Sequence, residues 1–256
     1  MKVTFLGTGT SHGIPAIGCT CAVCRSANPR NKRRRTSLYV QVNDQHIIID
    51  TPPDFREQVL ANGVPRVDAV LITHAHADHI FGFDDLRRFS YMQHMSIPVY
   101  GSPATMVEMR TKFSYVMEDT LWRASVPRAT FNEVTHAWSW NGIEVEPVPA
   151  PHGPMTVYGY IVRAGGRSLG YLPDCSAMDE DLIARWQGVD VMILDALRQK
   201  EHPTHLSLPE AVDALRLIAA DRSYLTHLCH DLEHDETNAR LPDRMQVAYD
   251  GLTLEW

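Results

Sequence analysis

The sequence lacks an excess of basic residues, a long apolar run and an even number of cysteines. Its 256 residues include 24 Lys and Arg against 31 Asp and Glu, and the formal net charge of −7 disfavours bulk binding to nucleic acid or anionic membranes. The longest apolar stretches have only the length of a strand, so none predicts a membrane span. Five cysteines cannot all pair within one chain, which disfavours a disulfide framework and favours metal ligands or free thiols.

The beginning of the chain carries no signal-peptide pattern, because its apolar run at residues 3–6 is too short. With the odd cysteine count, this predicts a protein of a reducing compartment, which we expect to be the cytoplasm. Hydrophobic residues at 44% and charged residues at 21% are typical of a globular chain, and no Gly/Ser linker divides it. We expect residues 1–256 to form a single domain with a lid or insertion near 112–128.

Short β-branched apolar runs alternate with helical periodicities along the chain. The clearest helix covers residues 208–219 and opens with a capping-box pattern at Ser207 and Glu210. Strands are predicted at 3–6, 37–42, 46–49, 69–73, 97–100, 143–148, 158–162, 168–172, 189–194, 223–226 and 252–254, and further helices at 54–60, 104–115 and 178–186. This alternation indicates an α/β (α+β) fold in which two stacked sheets are covered by helices.

The greatest concentration of potential metal ligands is in the run His74-Ala75-His76-Ala77-Asp78-His79, which directly follows a predicted strand. Four potential ligands within six residues cannot all point the same way on a strand or a helix, but on a turn they can surround two adjacent metals. Imidazole and carboxylate are ligands that suit zinc, manganese or iron. His152, Asp174 and His227 also follow apolar strands, and the edge formed by strand ends is where sites of sheet-based folds assemble. The sequence therefore predicts a metal centre.

The histidine run resembles the signature histidine-x-histidine-x-aspartate-histidine of the metallo-β-lactamase superfamily of dinuclear hydrolases, and the resemblance extends over nearly the whole chain. It implies a four-layer αββα sandwich and two divalent metal ions, Mn or Zn with Fe as an alternative, that share a hydroxide. The implied ligands are His74, His76 and His152 for the first metal, Asp78, His79 and His227 for the second, and Asp174 as the bridge. Asp50 matches a carboxylate that orients such ligands, although a simple turn-forming role is equally compatible with its position after a strand.

A second metal-binding pattern is formed by cysteines. Cys19, Cys21 and Cys24 are three thiolates that suit a tetrahedral zinc but leave it one ligand short. His230, which follows His227 by three residues, is the candidate for the fourth position. We therefore predict one structural zinc on a loop near 18–25, and the alternative is a set of reduced surface cysteines.

These cysteines, with the glycine run Gly7-Thr8-Gly9-Thr10, narrow the resemblance to the subgroup of the phosphoribosyl cyclic phosphate phosphodiesterase. It implies a Cys3His zinc beside a dinuclear site and the opening of a small cyclic phosphodiester by the metal-bridging hydroxide. A histidine of this subgroup acts on the leaving alkoxide, and His205 fits that role best, with His202 as the rival. Asp78 and His205 are thus the catalytic candidates. A related branch that makes a pyrroloquinoline quinone precursor does not share the usual full ligand set, which is intact here.

Attraction of a small phosphorylated substrate to an acidic protein needs local positive charge. The metals would supply most of it, and Arg87, Arg35 and His12 are further candidates to bind phosphate. Transfer-RNA 3′ processing and thioester or lactone hydrolysis are alternative reactions that the same dinuclear site could catalyse. A role as a non-enzymatic binding module is the least favoured interpretation. We expect neither a membrane nor a nucleic-acid partner, and the sequence leaves a homodimer open.

Overall fold

The computed structural model describes residues 1–117 and 126–256, and within these ranges the strands form two seven-stranded mixed sheets. The strands of the first sheet are β1 (Lys2–Gly7), β2 (Ser37–Val42), β3 (Gln45–Ile49), β4 (Ala69–Leu71), β5 (Ile97–Gly101), β6 (Ala129–Glu133) and β14 (Thr253–Glu255). Those of the second are β7 (Trp138–Trp140), β8 (Ile143–His152), β9 (Met155–Ala164), β10 (Arg167–Leu172), β11 (Val191–Asp195), β12 (Arg222–Thr226) and β13 (Met245–Val247). The spatial orders are β14-β1-β2-β3-β4-β5-β6 and β13-β12-β11-β10-β9-β8-β7.

Helices cover the outer faces of the two sheets. On the first sheet they are α2 (Phe55–Ala61), α3 (Ala77–Ile80), α4 (Leu86–Gln93), α5 (Pro103–Lys112) and α6 (Ser114–Met117), and on the second they are α7 (Glu180–Trp186) and α8 (Leu208–Ile218). Two short helices lie outside these layers, α1 (Ala22–Arg25) in the cysteine loop and α9 (His234–Asn238) before β13. The predicted capping box at the start of α8 is confirmed, since the Ser207 and Glu210 side chains each bind the other residue's backbone N–H. Across the described ranges, the helices are too short or too polar to cross a membrane.

Three buried apolar layers hold the sandwich together. Phe5 and Ile49 of the first sheet meet Tyr160 of the second in the layer between the sheets. Phe55 packs in the outer layer of the first sheet, and Trp186 in that of the second. This arrangement confirms the predicted four-layer αββα sandwich, because each sheet buries one face against the other sheet and one against helices.

Within residues 1–117 and 126–256, the structure has three strands that the sequence did not predict, β6, β7 and β13. β6 and β7 are half-exposed edge strands with polar residues in the run, and β7 and β13 have only three residues each, so their apolar signal is weak. The helix expected at 104–115 is divided into α5 and α6 near Phe113. Of the predicted lid or insertion, residues 118–125 lie outside the described residues, and 112–117 end α5 and form α6.

One edge of the sandwich collects the polar strand ends. β3 and β4 run parallel, as do β10, β11 and β12, so their carboxyl ends lie side by side. The loop after β1 connects the two sheets there, since Gly9 bridges both Arg35 and Leu228. The residues that follow these strands are therefore brought to a common edge, as the sequence predicted.

Candidate metal centre and active site

Asp50 organises the turn that carries the histidine run. It follows β3 with a left-handed backbone conformation, φ 65°, and is fully buried. Its carboxylate accepts hydrogen bonds of 2.8 Å each from the Thr73 amide, the Thr73 hydroxyl and His79 Nδ1. Because Nδ1 of His79 is the donor in this bond, Nε2 keeps its lone pair for the interior of the site.

Asp174, which follows β10, stands between two groups of histidines. Its Oδ1 lies 3.3 Å from His79 Nε2 and 3.5 Å from His227 Nε2. Its Oδ2 lies 3.8 Å from His74 Nε2 and 3.7 Å from His152 Nε2. Each carboxylate oxygen thus faces one group, which is the arrangement that a bridging ligand requires.

The seven residues implied as ligands form two clusters of three that Asp174 links, since its carboxylate forms a group with His74 of one and His79 of the other. The ligand atoms of His74, His76 and His152 lie within 4.8 Å of one another, and so do those of Asp78, His79 and His227. His152 donates from Nδ1 to the Thr204 carbonyl at 2.7 Å, which leaves Nε2 for the cluster. The structure therefore brings together all the residues that the resemblance implied for the dinuclear site.

The donor atoms fit divalent cations. Within the described ranges, the buried atoms His79 Nε2, Asp174 Oδ1 and His227 Nε2 have no hydrogen-bond partner, although buried polar atoms normally find one. Burial lowers the pKa of His74 well below its usual value and that of His152 to about 4, so both rings are neutral at pH 7. Burial acts on His79 too, but the neighbouring carboxylates, Asp174 foremost, outweigh it and raise the pKa of His79 well above its usual value. Imidazole nitrogens and a carboxylate oxygen that converge without other partners are the chemistry of a metal site.

His205 lies against this cluster, on the loop that follows β11. Its ring stacks on His227 with a centroid distance of 4.6 Å and meets the His152 ring edge-on at 4.8 Å. Burial lowers its pKa, but the Asp195 carboxylate, 3.0 Å from Nδ1, outweighs burial and raises the pKa to about 9. His202, the alternative candidate for the proton donor, lies next to His205, and the centroids of the two rings are 5.3 Å apart.

Asp195 is a site residue that the sequence analysis did not select. It is fully buried at the end of β11, and its Oδ2 accepts from the Cys175 amide at 3.0 Å as well as from His205. Its position in the sequence could have identified it, because Asp195, like Asp174, is an acidic residue at the end of an apolar strand. The same signal occurs at many turn-forming aspartates, which is why it did not stand out.

The cysteine loop forms the second predicted cluster. Sγ atoms of Cys19, Cys21 and Cys24 and a ring nitrogen of His230 all lie within 4.8 Å of one another. His230 Nδ1 is 3.3 Å from Cys19 Sγ and 3.4 Å from Cys24 Sγ, although Cys19 and His230 are 211 residues apart. Three sulfurs and one imidazole match the ligand set of a closed, tetrahedral zinc site.

The three residues proposed to bind phosphate have different surroundings. Arg35 is ion-paired with Asp54 at 2.9 Å and, with His12, lines a cavity of about 400 Å³. Arg87 is on α4, half-exposed, and lies 3.2 Å from Asp84. Within the described part of the chain, these ion pairs direct both arginines to carboxylates outside the histidine cluster. Their role in binding phosphate therefore stays a prediction.

Arg33, two residues before Arg35, is buried, although arginine is usually a surface residue. Only 1% of it is exposed, and its Nη1 donates to the Leu232 carbonyl at 3.0 Å. This hydrogen bond joins the segment before β2 to the segment that follows His230 of the cysteine cluster.

Comparisons with known proteins agree with this geometry. The family model of the beta-lactamase superfamily domain matches residues 45–228. A solved diphosphatase of the PhnP family is 39% identical, with a TM-score of 0.91 over 100% of this chain and 97% of that one. An octanoyltransferase of Porphyromonas gingivalis (strain ATCC BAA-308 / W83) is 34% identical over 98% of this chain, which spans about half (51%) of that relative's length. Coenzyme PQQ synthesis protein B of Methylorubrum populi (strain ATCC BAA-705 / NCIMB 13946 / BJ001) is 28% identical over 76% of this chain and 72% of its own length.

The family match covers more than half of the chain, and the PhnP-family diphosphatase is matched over nearly its full length. The fold implies divalent metals, in agreement with the clustered His and Asp ligand atoms. The chain belongs to the beta-lactamase superfamily and, within it, is a hydrolase of the PhnP-like group.

Proposed function

We propose that this hydrolase is a metal-dependent phosphodiesterase that opens a small cyclic phosphodiester of the phosphoribosyl type. The observation that carries the proposal is Asp174, whose two oxygens each face one histidine group, with His205 stacked at the margin of the same cluster. When bound, two divalent cations would lower the pKa of a water molecule and polarise the phosphoryl oxygen under attack. His74, His76 and His152 would hold one cation, Asp78, His79 and His227 the other, and Asp174 both.

The Asp195–His205 pair supplies the proton transfer that such a substrate needs. Asp195 holds Nδ1 of His205 at 3.0 Å, so Nε2 is the ring nitrogen that remains for substrate. A sugar alkoxide is a poor leaving group, and a positioned proton donor contributes roughly 10²–10⁴-fold to its departure. The hydrogen bond to Asp195 both orients the ring and stabilises its protonated form, as a general acid requires.

Hydrolysis of a diphosphate linkage is the second candidate, because the PhnP-family relative that is 39% identical to this chain is a diphosphatase. The two reactions differ in the leaving group. A phosphate is a much weaker base than an alkoxide, so its departure depends less on a proton donor. The dependence of each reaction on His205 therefore separates the two candidates.

The test compares three substrates on metal-loaded protein: a ribose cyclic phosphodiester, ADP-ribose, and bis-p-nitrophenyl phosphate, whose leaving group needs no proton. We expect His205→Asn to lower kcat roughly 10²–10⁴-fold for the cyclic phosphodiester and far less for the nitrophenyl ester. His202→Asn is the matched control and should leave the rates near those of the unaltered protein.

Two outcomes would count against the proposal. Turnover of ADP-ribose without turnover of the cyclic phosphodiester would favour the diphosphatase. Hydrolysis of a lactone in place of all three phosphate substrates would favour the ester-cleaving alternative.

A further inference from the structure

A mostly apolar cavity opens directly on the metal cluster. It has a volume of about 510 Å³, within the usual range of small-molecule sites, and His74 and His76 form part of its wall. Its other walls come from Ala104 and Val107 on α5 and from Met155 on β9. None of these three residues was a candidate in the sequence analysis.

The fold fixes both walls relative to the cluster. Met155 is the cross-strand partner of His152 in the β8–β9 hairpin, so a metal-site histidine sets its position. Ala104, Val107 and Glu108 are spaced i, i+3 and i+4 on α5 and therefore share one face of that helix. Ser102 caps the helix by accepting from the Thr105 amide at 3.1 Å, which holds its first turn in place.

The character of the walls defines what the cavity can hold. Val107 is 58% exposed and Met155 is 39% exposed, which is unusual for large apolar side chains on opposite walls of one cavity. The charged residues of the lining, Glu108 and Lys112, form an ion pair with each other, so their charges offset. An apolar group that filled this space would cover Val107 and Met155 without having to desolvate an unpaired charge.

We infer that this cavity, which we call the α5–β9 pocket, binds an aromatic or aliphatic substituent of the substrate while the phosphoryl group lies at the metal cluster. The inference rests on the proposed function for the position of the phosphoryl group and adds the class of the substituent. The substrate is then a phosphate ester that carries a sizeable apolar group, such as a ring system, within reach of the reacting phosphorus.

The test uses two ligands with the same charged group, phenylphosphonate and methylphosphonate, titrated calorimetrically into metal-loaded protein. We expect phenylphosphonate to bind roughly tenfold more tightly, because its ring removes apolar surface from water. Val107→Asp should reduce this ratio to near one. A new carboxylate repels both phosphonates alike, so the ratio of the two dissociation constants reports the apolar contact alone.

Leu217→Asp is the matched control, because Leu217 is 59% exposed on α8 and does not line this pocket. It should leave the ratio unchanged. Equal affinities of the unaltered protein for the two phosphonates, or a ratio that Val107→Asp does not change, would overturn the inference. If the ratio behaves as expected but no phosphate ester is cleaved, the proposed function fails while the pocket stands. If neither phosphonate binds, both are refuted.

Discussion

Replacing Asp50 by asparagine should remove one metal from the site without unfolding the protein. The buried carboxylate accepts three hydrogen bonds, through Oδ1 from the Thr73 amide and through Oδ2 from the Thr73 hydroxyl and His79 Nδ1. An asparagine has one acceptor oxygen, and the Thr73 amide needs it. The new side-chain NH₂ group then faces His79 Nδ1, and two donors cannot bond to each other.

The conflict is resolved if the proton of His79 moves from Nδ1 to Nε2. Nδ1 then accepts from the new amide, but Nε2 loses the lone pair that would bind metal. Changes to such supporting partners typically cost 10–100-fold in metal affinity, about 1.4–2.7 kcal/mol. The loss should fall on the Asp78–His79–His227 group, because Asp50 bonds to His79.

The assay is metal content after dialysis against buffers of graded free Zn²⁺, read by elemental analysis. We expect Asp50→Asn to hold one equivalent less than the unaltered protein over about one to two decades of free zinc. Asp68→Asn is the control, since Asp68 is also buried, with 3% exposed, but binds the His46 amide and Arg66. A folded Asp50→Asn protein that takes up zinc like the unaltered one would refute the assigned role of Asp50.

Three further predictions concern other parts of the molecule. Cys21→Ser should lower the folding yield and remove one equivalent of zinc, and unchanged zinc content would contradict the Cys3His site. Gly159→Ala should destabilise the protein by about 1–3 kcal/mol in urea unfolding, because its Cβ would lie 2.8 Å from the Tyr171 carbonyl oxygen; an unchanged midpoint would contradict this close packing. Burial raises the pKa of Asp250 from 3.8 to about 7, so the stability that its proton contributes is present below pH 3.8 and lost as the pH rises to about 7. Asp250→Asn should therefore gain stability relative to the unaltered protein between about pH 4 and 7, by up to about 1.4 kcal/mol per pH unit, and parallel pH profiles would contradict it.

The ligand residues of the metal centre could be predicted from the sequence because their signal is local. His74, Asp174 and His227 each follow an apolar run, and the carboxyl ends of neighbouring parallel strands necessarily meet at one edge. The cysteine triplet is local as well, with three thiols within six residues. His230 could be predicted as the fourth ligand because it lies near His227 in sequence, and the structure places its ring beside the sulfurs.

The rest of the site is set by tertiary contacts that leave no pattern in the sequence. Val107 and Met155 are ordinary apolar residues, and only the packing of α5 beside the β8–β9 hairpin makes them the walls of one cavity. Arg33 is of a residue type that is usually exposed, but it is buried and donates to the Leu232 carbonyl, which is 199 residues away along the chain. Edge strands such as β6 were missed for a similar reason, since half-exposed strands lack the continuous apolar run of a buried one.

The histidine cluster and the cysteine cluster share a short segment of chain, and its hydrogen bonds explain why the loss of one cluster need not destroy the other. His227 has a left-handed φ of 59°, a conformation that costs a non-glycine residue about 1–3 kcal/mol and must be held in place. Backbone bonds beside it do so, since Leu228 donates to the Thr8 carbonyl at 2.9 Å and accepts from the Thr10 amide at 3.1 Å, and Cys229 donates to the Leu197 carbonyl at 2.8 Å. None of these bonds passes through a cysteine sulfur. The position of His227 is therefore fixed by the strand ends and not by the cysteine loop. A Cys21→Ser protein that does fold should keep the ligands of the histidine cluster in place.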